Sequence, residues 1–334
     1  MLSDIDFNYI RSVQNLSLKN LGLTKENPSV ACLIVDFKND IQGKVLSYGL
    51  TSVGGRPHAE INALKEIPNK QDFKNLTAYI SLEPCFKKNL ISCSSRLVKS
   101  GIKRIIIDSL DPNPIIYKKG FLFLEENKIK VFFSKSLSKF KDFNKYFYIN
   151  SVKSRPFITL KLAISKNGYT KDYNSKDITS KETQKYLHYL RLRHDAISVG
   201  YNTFIEDKPK LTCRLQGVNK NLKKIILFKN DLNDKKINKK FKFIKFKQDK
   251  DFKKNIYSDL SKLNIKSLLV EGGLSTFMAF FDAGSYDEII ISRSSHNVVS
   301  SNVKYKIKNH LFVNLVQDSN NNYGNDRIIV YKNK

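Results

Sequence analysis

His58-Ala59-Glu60, followed by Pro84-Cys85 and then Cys93, restricts the folds open to this chain more than any other feature. One imidazole, two thiols and an unattached carboxylate are the parts of a hydrolytic zinc site. Three protein ligands leave a fourth position on Zn²⁺ open, and water there is acidified to a pKa of roughly 7. Glu60, two residues from His58, is placed to carry protons between that water and a leaving amine.

Taken singly, each piece has an ordinary explanation: His-x-Glu is common by chance, and a lone Cys is usually a small buried hydrophobe. Their placement argues otherwise. Pro57 suits the first turn of a helix, which sets His58 and Glu60 at the start of a run through Ala63, Leu64 and Ile67. Thr77 to Leu82 reads as a buried strand, with Pro84-Cys85 just past its end. Cys93 opens a further helical run through Leu97 and Val98. Two helix starts and one strand end therefore converge, where helix dipoles favour thiolates.

The length of 334 residues suggests two domains or one large one, and 41% hydrophobic residues suffice for packed cores. Of four cysteines, Cys32 lies in the apolar run Val30 to Val35 and Cys213 stands alone, so no disulfide framework is visible and a reducing cytoplasm is expected. The start, Met-Leu-Ser-Asp-Ile-Asp, is acidic where a signal peptide is basic, and no apolar run is long enough to cross a bilayer. A net charge of +28 raises a nucleic-acid reading, yet the cations are mostly Lys spread over both halves. Even the dense stretch Asn219 to Lys254 carries Asp231, Asp234, Asp249 and Asp251, and is expected to be a solvated surface. Such charge still attracts a phosphorylated substrate.

The pattern predicts a helix over Ile5 to Leu21 and strands at Val30 to Val35 and Val45 to Tyr48. The His58 helix, the Thr77 strand, the Cys93 helix and a strand Lys103 to Asp108 follow, then a weaker helix and strand reaching Phe133. Asp111-Pro112-Asn113-Pro114 is strong turn chemistry just past a strand end, where α/β folds place ligand contacts. The first domain is expected to span 1–148, with a polar linker at 149–156 and a second domain at 157–334. In the second, a strand Phe157 to Ile164 precedes a helix Lys181 to Arg193, strands Ala196 to Val199 and Lys224 to Phe228, and a helix Phe252 to Leu263. The strand Ser267 to Val270 then ends in Glu271-Gly272-Gly273, before a helix carrying Phe277, Met278, Phe280 and Phe281. The glycine pair lets backbone N–H groups approach a phosphate at a helix N-terminus, or simply makes a tight turn.

Together these pieces resemble the bifunctional riboflavin-biosynthesis deaminase/reductases over nearly the whole chain. The resemblance rests on Asn27-Pro28, Gly55-Arg56-Pro57-His58-Ala59-Glu60, Leu82-Glu83-Pro84-Cys85 and Asp111-Pro112-Asn113-Pro114. In the second half it rests on Arg155-Pro156-Phe157, Lys161 to Ser165, Leu190-Arg191, Asp195-Ala196-Ile197, Val199-Gly200 with Thr203, Asp207 to Arg214, and Val270-Glu271-Gly272-Gly273. It implies an α/β chain: an N-terminal cytidine-deaminase-like α/β/α domain followed by a dihydrofolate-reductase-like α/β domain. The first would release ammonia from the 2-amino group of 2,5-diamino-6-ribosylamino-4(3H)-pyrimidinone 5′-phosphate, and the second would reduce the ribosyl side chain with NADPH. By the same resemblance His58, Cys85 and Cys93 hold Zn²⁺, Glu60 is the acid/base and Asn27 touches the pyrimidine. Ala163, Asp177, Thr203, Asp207, Gly272 and Gly273 lie along NADPH, and Ser175, Arg191, Leu211, Arg214 and Glu271 face substrate.

The chain departs from that pattern. Seven residues separate Cys85 from Cys93, where the wider zinc-deaminase signature H-x-E…P-C-x-x-C has two. The family's Ser-His-His-Gly-Arg-Thr-Pro-Pro stretch is replaced by Phe86 to Ser92, leaving Lys87 or Lys88 to meet the phosphate. Thr51 stands where the family has His, Asn167 where it has Asp, and Lys208 replaces a second Asp. Two other readings stay open: a reductase whose first half is a structural zinc module, and an RNA-associated protein with a deaminase-like fold. The expected partner is a small phosphorylated pyrimidine, with neither membrane nor nucleic acid, and self-association is left open.

Overall fold

A computed structural model describes residues 2–67, 73–88, 91–134, 139–172, 177–230, 240–299, 306–307, 309–313 and 315–333. The chain divides into two compact units, Met1–Ser154 and Arg155–Lys334. No helix among the described residues is long and apolar enough to cross a membrane.

The first unit runs α1 (Asp4–Ser17), β1 (Ala31–Asp36), β2 (Lys44–Leu50), α2 (Ala59–Lys65), β3 (Leu76–Ile80), α3 (Cys93–Ser100), β4 (Arg104–Ile107), α4 (Lys119–Glu126), β5 (Lys130–Phe133), α5 (Phe140–Phe143) and α6 (Lys145–Lys153). Its sheet has the order β2-β1-β3-β4-β5. β1 is antiparallel to both neighbours, and β3, β4 and β5 are parallel. Buried strands send alternate side chains to opposite faces. Ala31, Leu33, Val35, Tyr79 and Ile106 accordingly meet Ile10 and Val13 of α1. Cys32, Ile34, Ala78, Ile80, Ile105 and Ile107 meet Ala59, Ala63, Leu97 and Leu124 of α2, α3 and α4. The result is the expected α/β/α layering.

Asp6 anchors α1 to the sheet. Burial pushes its carboxyl up, but hydrogen bonds from Arg104 (2.8 and 2.9 Å), the Ser3 N–H (2.8 Å) and Tyr79 Oη (2.7 Å) hold it at about 2, below the ordinary 3.8. A depressed folded-state pKa gives stability that is present above the unfolded value and is lost as pH falls through the folded one. This contribution should therefore be complete above pH 4 and fade toward pH 2. Arg104→Met leaves the carboxylate buried with one partner fewer and should cost about 2 kcal/mol, read as a lower urea midpoint at neutral pH.

The second unit runs β6 (Phe157–Ile164), α7 (Lys181–Arg193), β7 (Ala196–Gly200), α8 (Tyr201–Asp207), β8 (Lys223–Phe228), β9 (Lys242–Lys245), α9 (Phe252–Lys262), β10 (Ser267–Val270), α10 (Leu274–Asp282), β11 (Glu288–Arg293), β12 (Val316–Tyr323) and β13 (Asp326–Lys332). The sheet order is β12-β13-β11-β6-β10-β7-β8-β9, parallel from β11 to β9 and antiparallel in the closing hairpin. Ile158, Leu160, Leu162 and Ile164 of β6 pack with α9 and α10 through Phe252, Ile256, Phe277 and Phe280. On the other face Leu269 and Ile290 pack on Leu187 and Leu190 of α7. The Arg155-Pro156-Phe157 motif has a structural purpose. Arg155 is bidentate on Asp287 at 2.5 and 2.7 Å, and Asp287 also accepts the Ile158 N–H, which ties β6 to the turn before β11.

Several expectations need correction. The first helix stops at Ser17 and not Leu21, because the chain turns through Leu18 to Leu23 with Gly22 at φ +82. Pro57 precedes α2 and is not inside it; His58 is the N-cap, with extended backbone. Residues 151–153 end α6, where a linker was expected, and Ser154 caps it in a left-handed conformation. The lysine-rich stretch 219–254 is not all solvated surface. It supplies β8 and β9, which bury Ile225, Ile226, Leu227 and Ile244, while Lys223, Lys242 and Lys245 are exposed.

Candidate functional site

In the first unit the sheet ends and helix starts converge as the spacing suggests. Gly49 of β2 admits α2, since a Cβ there would collide with the Ala59 carbonyl and the Ala63 amide. Past β3, Glu83 fixes the chain: its carboxylate accepts N–H bonds from Asp111, Lys118, Gly120 and Phe121 at 2.9–3.2 Å. Ser94 then ties α3 to that corner, its N–H on the Cys85 carbonyl at 3.2 Å and its hydroxyl on the Pro84 carbonyl at 3.1 Å. Ser92 caps α3 in a capping box with Ser95.

These constraints place His58 Nδ1 3.6 Å from Cys85 Sγ and 3.4 Å from Cys93 Sγ, with all three ligand atoms within 4.8 Å of one another. Tetrahedral bonds of about 2.3 Å to sulfur and about 2.0–2.1 Å to nitrogen separate S from N by about 3.6 Å. The donor set fits a zinc ion. Cys85 is lowered to about 4 by the hydrogen bond from Cys93 and by His58, and Cys93, which keeps the shared proton, is pushed up. A divalent cation would let both ionise. Glu60 is 3% exposed, and burial, then the Cys85 charge, raises its carboxyl to about 7. It therefore holds or releases a proton near neutrality, as a general acid/base must.

Around this centre, the Asn27 side-chain amide packs against Gly55, just ahead of Arg56-Pro57-His58. Thr51 is engaged structurally: its hydroxyl accepts the Val30 N–H at 3.0 Å. Phe86, in the altered loop, stacks on Phe123 of α4 at 4.3 Å, while Lys87 and Lys88 are exposed. Asp111 is buried, and burial raises its carboxyl to about 6. Its neighbours Glu83 and Cys85 add to that rise. The sequence marked its turn but not its proton.

In the second unit Ala163, Thr203, Glu271, Gly272 and Gly273 lie at or just past the C-terminal ends of parallel strands. The Gly273 N–H donates to Thr203 Oγ1 at 3.2 Å. A Cβ at Gly272 would press on Thr276 and the Gly200 amide at 3.0–3.1 Å, so the glycines permit both the close turn and backbone access. No side chain caps α10, and the Thr276 N–H turns back to the Gly273 carbonyl at 3.0 Å, which leaves the Leu274 and Ser275 N–H groups to meet an anion. Thr203, Gly272 and Gly273 are thus one feature, whereas exposed Asp207 ends α8 without a polar tie to them among the described residues. Ala163 is half-buried in β6 opposite Ser292.

Glu271 and Arg191 form a bidentate pair, 2.7 Å on both arms, and Arg191 Nη1 also donates to the Thr212 carbonyl at 2.9 Å. Arg191 therefore orients Glu271 and holds the Thr212 carbonyl at once. Lys161, which sequence reasoning treated only as part of a strand motif, faces this pair from β6. Burial pushes its ammonium down from the usual 10.5, with Glu271, Arg191 and Asp177 as its charged neighbours. A charge inside a buried strand was the available signal. Leu211 is 3% exposed in the core with Ile197, Val199 and Ile226, at φ +49, so only its backbone can face a ligand. Arg214 is exposed, and Ser175 lies outside the described residues.

Residues 5–109 match the family model for the cytidine and deoxycytidylate deaminase zinc-binding region, and residues 156–295 match the RibD C-terminal domain. The riboflavin biosynthesis protein RibD of Aquifex aeolicus (strain VF5) is 35% identical over 317 residues, covering 87% of each chain. That of Bacillus amyloliquefaciens is 30% identical over 312 residues, covering 84% of this chain and 82% of the relative. A solved deaminase/reductase from Thermotoga maritima has the same fold, with a TM-score of 0.83 at 24% identity over 99% of each chain. Full-length similarity, two family models in this order and the metal-ligand cluster place the chain in the RibD family of riboflavin biosynthesis, zinc-dependent deaminases joined to NADPH-dependent reductases.

Proposed function

We propose that Met1–Ser154 hydrolyses the 2-amino group of 2,5-diamino-6-ribosylamino-4(3H)-pyrimidinone 5′-phosphate, and that Arg155–Lys334 then reduces the ribosylamino group to ribitylamino. The observation that carries the first half is the convergence of His58, Cys85 and Cys93 beside buried Glu60. Zinc held by these three residues supplies Lewis-acid activation of water. Glu60 takes a proton from the attacking water and delivers it to the departing amine, which leaves as ammonia. Asn27 is assigned to the pyrimidine by the family pattern, Asp111 joins it as a buried carboxyl near Cys85, and exposed Lys87 or Lys88 is assigned to the phosphate.

In the second half NADPH supplies hydride. Gly272, Gly273 and Thr203 would cradle its phosphates at the start of α10, with Ala163, Asp177 and Asp207 assigned along it by the family pattern. C1′ of the sugar gains hydride as its bond to the ring oxygen opens, and that oxygen gains a proton. Lys161 donates it, with Glu271 as its charged neighbour and Arg191 balancing Glu271. Arg214 and the Leu211–Thr212 backbone face the substrate, and Ser175 is assigned there by the family pattern alone.

Purified full chain given the diamino substrate without NADPH should release ammonia only; adding NADPH should then start loss of nicotinamide absorbance. Nicotinamide loss from supplied deaminated intermediate, with no ammonia from the diamino compound, would instead select the reductase-only reading.

A further inference from the structure

The segment Leu211 to Arg214 is gripped by one face of α7. Arg191 Nη1 holds the Thr212 carbonyl at 2.9 Å, and the Cys213 thiol donates to the His188 carbonyl at 3.4 Å. The Arg214 N–H meets His188 Nδ1 at 3.2 Å. A backbone N–H can only donate, so Nδ1 must accept, and the ring must be neutral with its proton on Nε2. Beneath, Leu211 is sunk in the core in a left-handed conformation that aims the following residues outward.

We propose that His188 is a positioning residue of the reductase: by accepting the Arg214 N–H it holds the Thr212–Arg214 strap so that the Arg214 guanidinium meets the phosphorylated substrate. The inference rests on the assignment of Arg214 to substrate above. The charged surroundings keep the acceptor available. Burial lowers His188 below its usual 6.5, and Arg191 on its own helix and Arg214 on the strap add to this, against Glu271 at the end of β10. The Thr212 carbonyl, which also accepts from Arg191 Nη1, is the smallest of the influences that favour the charged ring.

Asn presents an amide oxygen near the place of Nδ1 and does not titrate, whereas Leu removes the acceptor. In the full chain, His188→Leu should raise the reductase KM for the phosphorylated intermediate about five- to tenfold, the worth of one lost hydrogen bond, with kcat little changed. His188→Asn should restore the wild-type KM at pH 7.5. Below pH 6.5 the wild-type KM should rise relative to that of His188→Asn; phosphate protonation near pH 6 weakens both alike, so the ratio isolates the ring. Unchanged NADPH binding by the same chains reports an intact reductase unit. An unchanged KM in His188→Leu, equal damage in His188→Asn, or a loss confined to kcat would each overturn the proposal. Arg214→Ala separates the two claims. A KM that stays put there sinks the assignment of Arg214 itself, while a KM that rises there but not in His188→Leu sinks only the role of His188.

Discussion

Glu60→Gln should cut ammonia release by about 10²- to 10⁴-fold, the usual worth of a positioned acid/base, while the same chain goes on reducing supplied deaminated intermediate. The side chain keeps its shape and stays buried, so the metal ligands keep their places; what disappears is a carboxyl poised near pH 7. Gln cannot accept the proton of the attacking water, and the departing amine is left without the proton it needs to leave as ammonia. Zinc content should be unchanged in this variant, because Glu60 is not one of the three ligands. Loss of both activities together would mean that Glu60 supports the fold and does not carry protons.

Lys161→Met should be the mirror image. Reduction falls by about 10²- to 10⁴-fold for loss of a proton donor, while ammonia release is untouched. Met has nearly the same length and suits a buried strand position, so packing beside Glu271 survives. NADPH binding, followed by its fluorescence, should persist, since the cradle at Gly272-Gly273 does not include Lys161. Because burial lowers the ammonium from 10.5, the alkaline limb of wild-type reduction should fall below the pH of an ordinary lysine. A variant that reduces at the wild-type rate would remove Lys161 from the chemistry.

The parts of the chain legible in sequence are those where local pattern and tertiary demand agree. β6, α7 and β10 begin and end at the predicted residues because each is a largely apolar run or a capped helix. The metal cluster was legible for a related reason: its ligands sit at element ends, and such ends can be read from turn and cap residues. Side-chain partnerships across long separations were not legible. Nothing near Glu83 announces that it collects four N–H groups from residues 111–121, or that Arg191 answers Glu271 from 80 residues away. The side chain of Leu211 was not legible for a backbone reason. A motif places it in a polar loop, but its positive φ turns the side chain into the core. Thr51 shows the reverse, a departure from the family pattern that the fold uses to close β1 against the start of the next loop.

Chelation and reconstitution of the full chain, with ammonia and nicotinamide absorbance read on the same samples, tests the account most directly. Metal removal should abolish ammonia release, and one equivalent of zinc should restore it, while reduction of supplied intermediate holds steady throughout. Ammonia release that survives chelation, or reduction that collapses and recovers in step with it, would contradict a zinc centre at His58, Cys85 and Cys93 working apart from the reductase.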